Sequence, residues 1–129
     1  MKRLTPLIIL FAAGLPNAAQ SQVSNASVVT VELSNFKFGP QAIHLRAGVP
    51  IVLRLRNSAG GGHSFSAPQF FNSAKMSQSS ANMVHNGAIE IPKQSTVDIS
   101  LIPSAGSYQL KCSHTLHSAF GMKGVIRVD

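Results

Sequence analysis

From Val29 onward the chain alternates between apolar and polar residues in short runs. Val29, Val31 and Leu33 share one face, and Thr30, Glu32 and Ser34 share the other. Ile43 and Leu45 oppose His44 and Arg46, and Ile51, Leu53 and Leu55 oppose Arg54 and Arg56. The same alternation sets Ile89 and Ile91 against Glu90. It sets Val97, Ile99 and Leu101 against Asp98 and Ser100, Tyr108 and Leu110 against Gln109 and Lys111, and Ile126 and Val128 against Arg127. A period of two is the signature of a strand with one buried face. Turn formers punctuate the runs at Gly39-Pro40, Ala47-Gly48, Ser58 to Gly62, Pro92-Lys93 and Pro103 to Gly106. Seven or eight short strands so divided predict an all-β fold, an antiparallel β-sandwich with Greek-key connections. Gln69 to Val84 breaks the pattern. It has no alternation, Gly or Pro, and is expected to be a helical or irregular insertion.

The first residues follow a different logic. Lys2 and Arg3 precede an apolar stretch from Leu4 to Leu15, and small residues follow at Ala18, Ala19 and Ser21. This is the layout of a secretory signal peptide, residues 1–21, with cleavage after Ala19 or Ser21. The apolar run falls short of the roughly 20 residues that span a bilayer. No cysteine lies near the cleavage region, which excludes a lipoprotein anchor. The mature part, residues 22–129, is one domain with length enough for a real core. The expected location is the periplasm, with no stable membrane insertion.

Charge changes the picture only modestly. Lys2 and Arg3 are two of the eleven Lys and Arg, so nine remain against four Asp and Glu, a mature charge of about +5. The basic residues are scattered, which argues against nucleic acid. The excess suits a solvated basic surface or encounter with an acidic partner protein.

The single cysteine is more informative. An unpaired cysteine in an exported domain is a dimer bridge, a reactive thiol, an inert buried thiol or a metal ligand. Cys112 continues the parity of Tyr108 and Leu110, so it faces the core at the very end of a strand. That phase disfavours a bridge or an exposed thiol. His114, His117 and Met122 follow it in a polar loop, which poorly matches an inert thiol. Thiolate, imidazole and thioether together suit copper, and zinc sites rarely use a thioether. Two His, one Cys and a weak axial Met make a blue-copper set. The C-terminal loop supplies Cys, one His and Met, and His63, beyond the Gly-rich Ser58 to Gly62 turn, is the best second His. Adjacent antiparallel strands would bring that turn and the Cys112 to Met122 loop to one pole.

Here the chain resembles the cupredoxins, the plastocyanin/azurin group of small blue-copper proteins. The resemblance covers nearly all of the mature chain. It rests on Phe38-Gly39-Pro40, Gly48, and Asn57 with His63 six residues on, and then on Tyr108, Cys112, His117, Gly121, Met122 and Gly124. The Cys-x4-His spacing is like azurin and auracyanin; the His-x4-Met spacing is like plastocyanin and auracyanin. The resemblance implies one type 1 copper ion held by His63, Cys112, His117 and Met122. It also implies one-electron transfer with redox partner proteins, and no enzymatic activity. The family often has Asn directly after the first ligand histidine, tying the two ligand loops together. This chain has Ser64, whose side chain is shorter.

Other residues have plainer readings. His114 is able to bind copper, but its expected place is beside the ligands or at the surface. His44 shares an outward face with Arg46. Phe65, Phe70 and Phe71 are expected to pack the core or the insertion. Phe120 is expected to shield the metal or, with Ser118, Ala119 and Gly121, to form an apolar docking rim around His117. An alternative function is a periplasmic copper carrier or chaperone, in which His85, Met76 and Met83 would form a second soft-metal site. A copper enzyme would need more histidines than the five present.

Overall fold

Burial follows the alternation. Every core-facing position expected from the sequence is buried or partly buried, from Val29 at the first strand to Val128 at the last. The computed structural model describes Gly14, residues 26–114, His117 and residues 119–129. Apart from Gly14, the expected signal segment lies outside the described residues, as do Thr115, Leu116 and Ser118.

The elements are β1 (Ser27–Ser34), β2 (Lys37–Gly39), β3 (Ala42–Leu45), β4 (Ile51–Asn57), β5 (His63–Ser66), α1 (Pro68–Ser73), β6 (Lys75–Met76), α2 (Gln78–Ala81), β7 (Ala88–Ile91), β8 (Ser95–Ile102), β9 (Gly106–Lys111) and β10 (Lys123–Val128). They form two five-stranded sheets, ordered β2-β1-β4-β8-β6 and β3-β10-β9-β5-β7, which pack face to face as a sandwich. Most pairings are antiparallel, as expected. Two are parallel: β1 with β4, and β3 with β10. Alternation reports only which face is buried, so it does not distinguish the two directions. A second difference concerns β4 and β5. They are not neighbours in one sheet; the loop between them crosses the pole from the first sheet to the second. His63 still opens β5 at that pole.

The insertion is two short helices with β6 between them. Pro68 sits in the first turn of α1, where a missing N–H costs nothing. The Ser77 hydroxyl accepts from the Ser80 N–H and caps α2. The two-residue strand β6, too short to show a period, pairs with the end of β8. The Ser80 hydroxyl accepts from the Ser100 N–H at 2.9 Å and ties α2 to the same strand. Phe70 and Phe71 turn inward as expected. They belong to a chain of aromatic contacts from Phe38 through Phe65, Phe71 and Phe70 to Tyr108, with ring centroids 5.4–5.9 Å apart. The Tyr108 hydroxyl donates to the Ser104 carbonyl at 2.9 Å, so the buried ring keeps its polar end satisfied.

One polar residue organises the metal-side pole. Asn57 is only 1% exposed. Its amide nitrogen lies 2.9 Å from the Gly61 carbonyl, 3.0 Å from that of Ile91 and 3.1 Å from that of Pro92. Its side-chain oxygen accepts from the Ala59 N–H at 2.9 Å. The end of β4, the Gly-rich turn and the end of β7 are thereby held by one side chain, and the turn delivers His63. Asn57→Ala strips these partners together. We expect a loss of about 2–3 kcal/mol in urea unfolding; a change below about 0.5 kcal/mol would mean that the turn holds itself.

Candidate metal centre

Cys112 and Met122 stand on either side of a loop joining β9 to β10. The Lys111–Lys123 pair ends the regular ladder, and the Cys112 N–H donates to the Met122 carbonyl at 3.1 Å just beyond it. Inside the loop the His117 N–H donates to the His114 carbonyl at 3.1 Å, and the Met122 N–H to the His117 carbonyl at 3.0 Å. Gly121 takes φ +91°, a backbone conformation unfavourable to residues with a Cβ, and lets the chain turn back into Met122. These bonds fold the loop over the end of the core.

Three donor atoms converge there. The Nδ1 atoms of His63 and His117 are 3.0 Å apart, and Cys112 Sγ lies 3.4 Å from His117 Nδ1 and 4.0 Å from His63 Nδ1. His63 is 3% exposed, Cys112 and Met122 are fully buried, and His117 is partly exposed. Burial, with the neighbouring His117 and His114, pushes the His63 imidazole below its ordinary pKa, and Glu90 opposes this weakly. A lowered value keeps His63 neutral at neutral pH, the form that donates a lone pair. Two imidazole nitrogens and a sulfur at these separations fit a common ion at the roughly 2.0–2.3 Å typical of nitrogen and thiolate ligands. A soft sulfur with two nitrogens suits copper. Among the described residues this is the one group of three His, Cys, Asp or Glu side chains close enough to share an ion.

Ser64 stands where the family often has Asn. Its shorter side chain does span the gap between the two ligand segments. Ser64 Oγ accepts from the Ser113 N–H at 2.7 Å and lies 2.7 Å from Ser113 Oγ. Its backbone N–H donates to Cys112 Sγ at 3.4 Å. The second sheet brings β5 close enough to β9 for a hydroxyl to suffice.

The remaining sequence candidates separate. His114 belongs beside the ligands, as expected. Its Nε2 is 3.1 Å from each oxygen of Glu90, and its ring lies 5.0 Å from that of His117. His44 is on the surface. Met83 and His85 border one groove beside β7, but Met76 lines a different depression, against β8. Phe120 is 67% exposed, and sequence reasoning missed its companion. Phe36, at the β1–β2 turn, lies 5.4 Å from Phe120 and edge-on to His117 at 5.1 Å. Its φ of 58° is rare for an aromatic residue. The available signal was an apolar residue at the tip of a hairpin.

Residues 25–129 match the model for copper binding proteins of the plastocyanin/azurin family. The chain belongs to the plastocyanin/azurin family. Its cofactor is accordingly type 1 copper, and the convergent His63, Cys112 and His117 fit that ion. Among solved structures, a dithionite-reduced auracyanin from Roseiflexus castenholzii is similar, with a TM-score of 0.59 and 17% identity, over 81% of this chain and 98% of that one. Auracyanin B is similar with a TM-score of 0.58 and 18% identity, over 81% of this chain and 89% of that one. No curated protein matches the chain. These likenesses support the cupredoxin sandwich as the fold.

In this family member the Ser64 hydroxyl is the tie between ligand segments, so its removal has a defined cost. Ser64→Ala should lower the melting free energy by about 1 kcal/mol, since water replaces the bond at the exposed Ser113. It should also shift the reduction potential of the copper form, because the thiolate neighbourhood loosens. An unchanged potential would show that the backbone N–H of Ser64 suffices alone.

Proposed function

We propose that this protein is an exported, periplasmic one-electron carrier. His63, Cys112 and His117, with Met122 as a weaker fourth donor, would hold a single type 1 copper. The convergence of two imidazole nitrogens on the buried Cys112 sulfur carries this reading. Bound copper supplies a Cu(I)/Cu(II) couple. The chain's own residues do the rest. Strands β5 and β9, the Asn57 cross-link and the Ser64 bridge hold the donors where they are, which keeps rearrangement between oxidation states small. His117 is the least buried of the three and is the edge at which electrons enter and leave. Phe36 and Phe120 exclude water beside it and offer an apolar rim to a partner.

The near-complete burial of His63, Cys112 and Met122 favours an electron carrier over a metal carrier, which needs an accessible, labile site. With five histidines in the chain, a second catalytic copper site is not supported, and we read the protein as a carrier rather than an enzyme. The excess of basic residues favours acidic redox partners, whose encounter would slow as salt rises. Residues 1–21 support export.

Optical and electron-paramagnetic-resonance spectra of the copper-loaded, oxidised protein test the reading. An intense visible thiolate-to-copper absorption is expected. Cys112→Ser should abolish it while the sandwich stays folded, and a variant that keeps the same colour would refute the thiolate assignment.

Met122→Leu should leave copper bound and raise the reduction potential, because an apolar side chain in place of a donor costs the more electron-poor, more highly charged Cu(II) more than Cu(I). Protein-film voltammetry measures this. Complete loss of copper, or an unmoved potential, would remove Met122 from the ligand set.

A further inference from the structure

The facing charged pairs on the outer faces of the two sheets differ in sign. On the first sheet, Arg54 stands opposite Asp98 and Arg56 opposite Glu32, and each pair is an ion pair. On the second, Lys123 stands directly opposite Lys111. Like charges at facing positions oppose strand pairing. Two positions along β10 from the intervening Val125, Arg127 stands beside His44 of β3. All four side chains are exposed. The chain has four acidic residues, and three are engaged: Glu32 with Arg56 and Asp98 with Arg54 on the first sheet, and Glu90, on the edge strand β7 of the second, with His114. The fourth, Asp129, lies past the Arg127 end. Among the described residues, no ion pair involves Lys111, Lys123 or Arg127.

This face is also concave. β5 meets β9 at one pair only, Ser66 with Lys111, before the chain departs into α1. The gap leaves a recess of about 660 Å³ lined by Ser66, Pro68, Gln69, Gln109, Lys111 and Lys123. Its polar groups are cations and neutral amides or hydroxyls, with no carboxylate. Lys111 and Lys123 immediately precede Cys112 and follow Met122, so the recess abuts the root of the ligand loop.

We propose that this face, centred on Lys111 and Lys123, is a docking site for a carboxylate-rich segment of a partner protein. The patch runs about 13 Å along β10 from Lys123 to Arg127, longer than one small anion spans. A recess accepts a protruding acidic loop better than it accepts a flat bilayer. None of the exposed large apolar side chains, Val28, Phe36, Val49, Met83 and Phe120, borders the recess to insert into lipid. The proposal rests on the electron-carrier reading only in taking the partner to be a redox protein.

The test uses the copper-loaded, reduced, isotope-labelled protein titrated with hexaglutamate and followed by amide chemical shifts. Shifts should gather at Gln69, Gln109, Lys111 and Lys123 and fade as salt rises. Lys111→Gln with Lys123→Gln should weaken binding by about tenfold or more, whereas Lys75→Gln with Lys93→Gln, which removes the same charge elsewhere, should change it by less than about twofold. Equal weakening by both pairs, shifts centred on Phe36 and Phe120, or no binding would each overturn the proposal. Capture by phosphatidylglycerol vesicles without hexaglutamate binding would reassign the face to a membrane and likewise overturn it. The oxidised samples report visible absorption separately. Its absence with the shift map intact defeats the electron-carrier reading and leaves the docking face; its presence without the map defeats the docking face alone.

Discussion

The hydrogen bond from the Cys112 N–H to the Met122 carbonyl closes the loop on which the rest of the site depends. It extends the β9–β10 ladder by one step past Lys111 and Lys123. A loop clasped at its root has few ways to arrange the residues between. Here the result is that Cys112 faces the core by strand parity and His117 folds back over it. The opposing donor, His63, arrives from another sheet position but is no less constrained, because Asn57 fixes the turn before it and Ser64 bridges to Ser113 after it. The donors therefore converge through the polypeptide's own bonds. A site assembled this way suits a reaction in which only an electron moves, since preorganised donors leave little to rearrange.

Much of this was legible in the sequence, for identifiable reasons. Strand phase is a local property, so Val31, Leu53, Ile99 and Leu110 could be assigned to the core from alternation alone. The position of Cys112 followed from the same parity. The metal-ligating candidates came from chemical type and spacing within one short loop, with His63 added by resemblance and by its place after a Gly-rich turn. Three further features escaped because they depend on what lies across a gap. Strand direction for β1 with β4 and for β3 with β10 has no local signature. The reach of Ser64 could be judged only once the distance between β5 and the residue after Cys112 was known. Phe36 sits more than 80 positions before Phe120, and nothing in either neighbourhood announces that the β1–β2 turn reaches the pole where His117 lies.

The distribution of polar groups separates structure from interaction. Buried polar side chains are satisfied: Asn57, Ser64 and Ser80 each bond across elements, and among the described residues no buried side-chain nitrogen or oxygen lacks a partner. On the exposed face of the first sheet, Arg54 and Arg56 are neutralised across strands by Asp98 and Glu32. On the second sheet Lys111 and Lys123 face each other without such a partner among the described residues, at the root of the ligand loop. The pole itself draws on both sheets, with Phe36 and Asn57 from the first and His63, Cys112 and Met122 from the second and its loop.

The parallel pairing of β3 with β10 also governs when the site can exist. Ala42 pairs with Val125, residues 83 positions apart, and β10 is also the strand against which the ligand loop closes. Closing so long a stretch of chain carries an entropic cost before any contact compensates it, and such non-local pairings form late in folding. Until β10 docks, Cys112 and Met122 have no common frame and His63 faces no completed partner set. A partly unfolded chain therefore offers copper the clustered donors of the Cys112 to Met122 segment, without His63 and without this geometry. Copper that binds the completed set of donors more tightly than the open chain therefore adds the difference to the stability of the folded form.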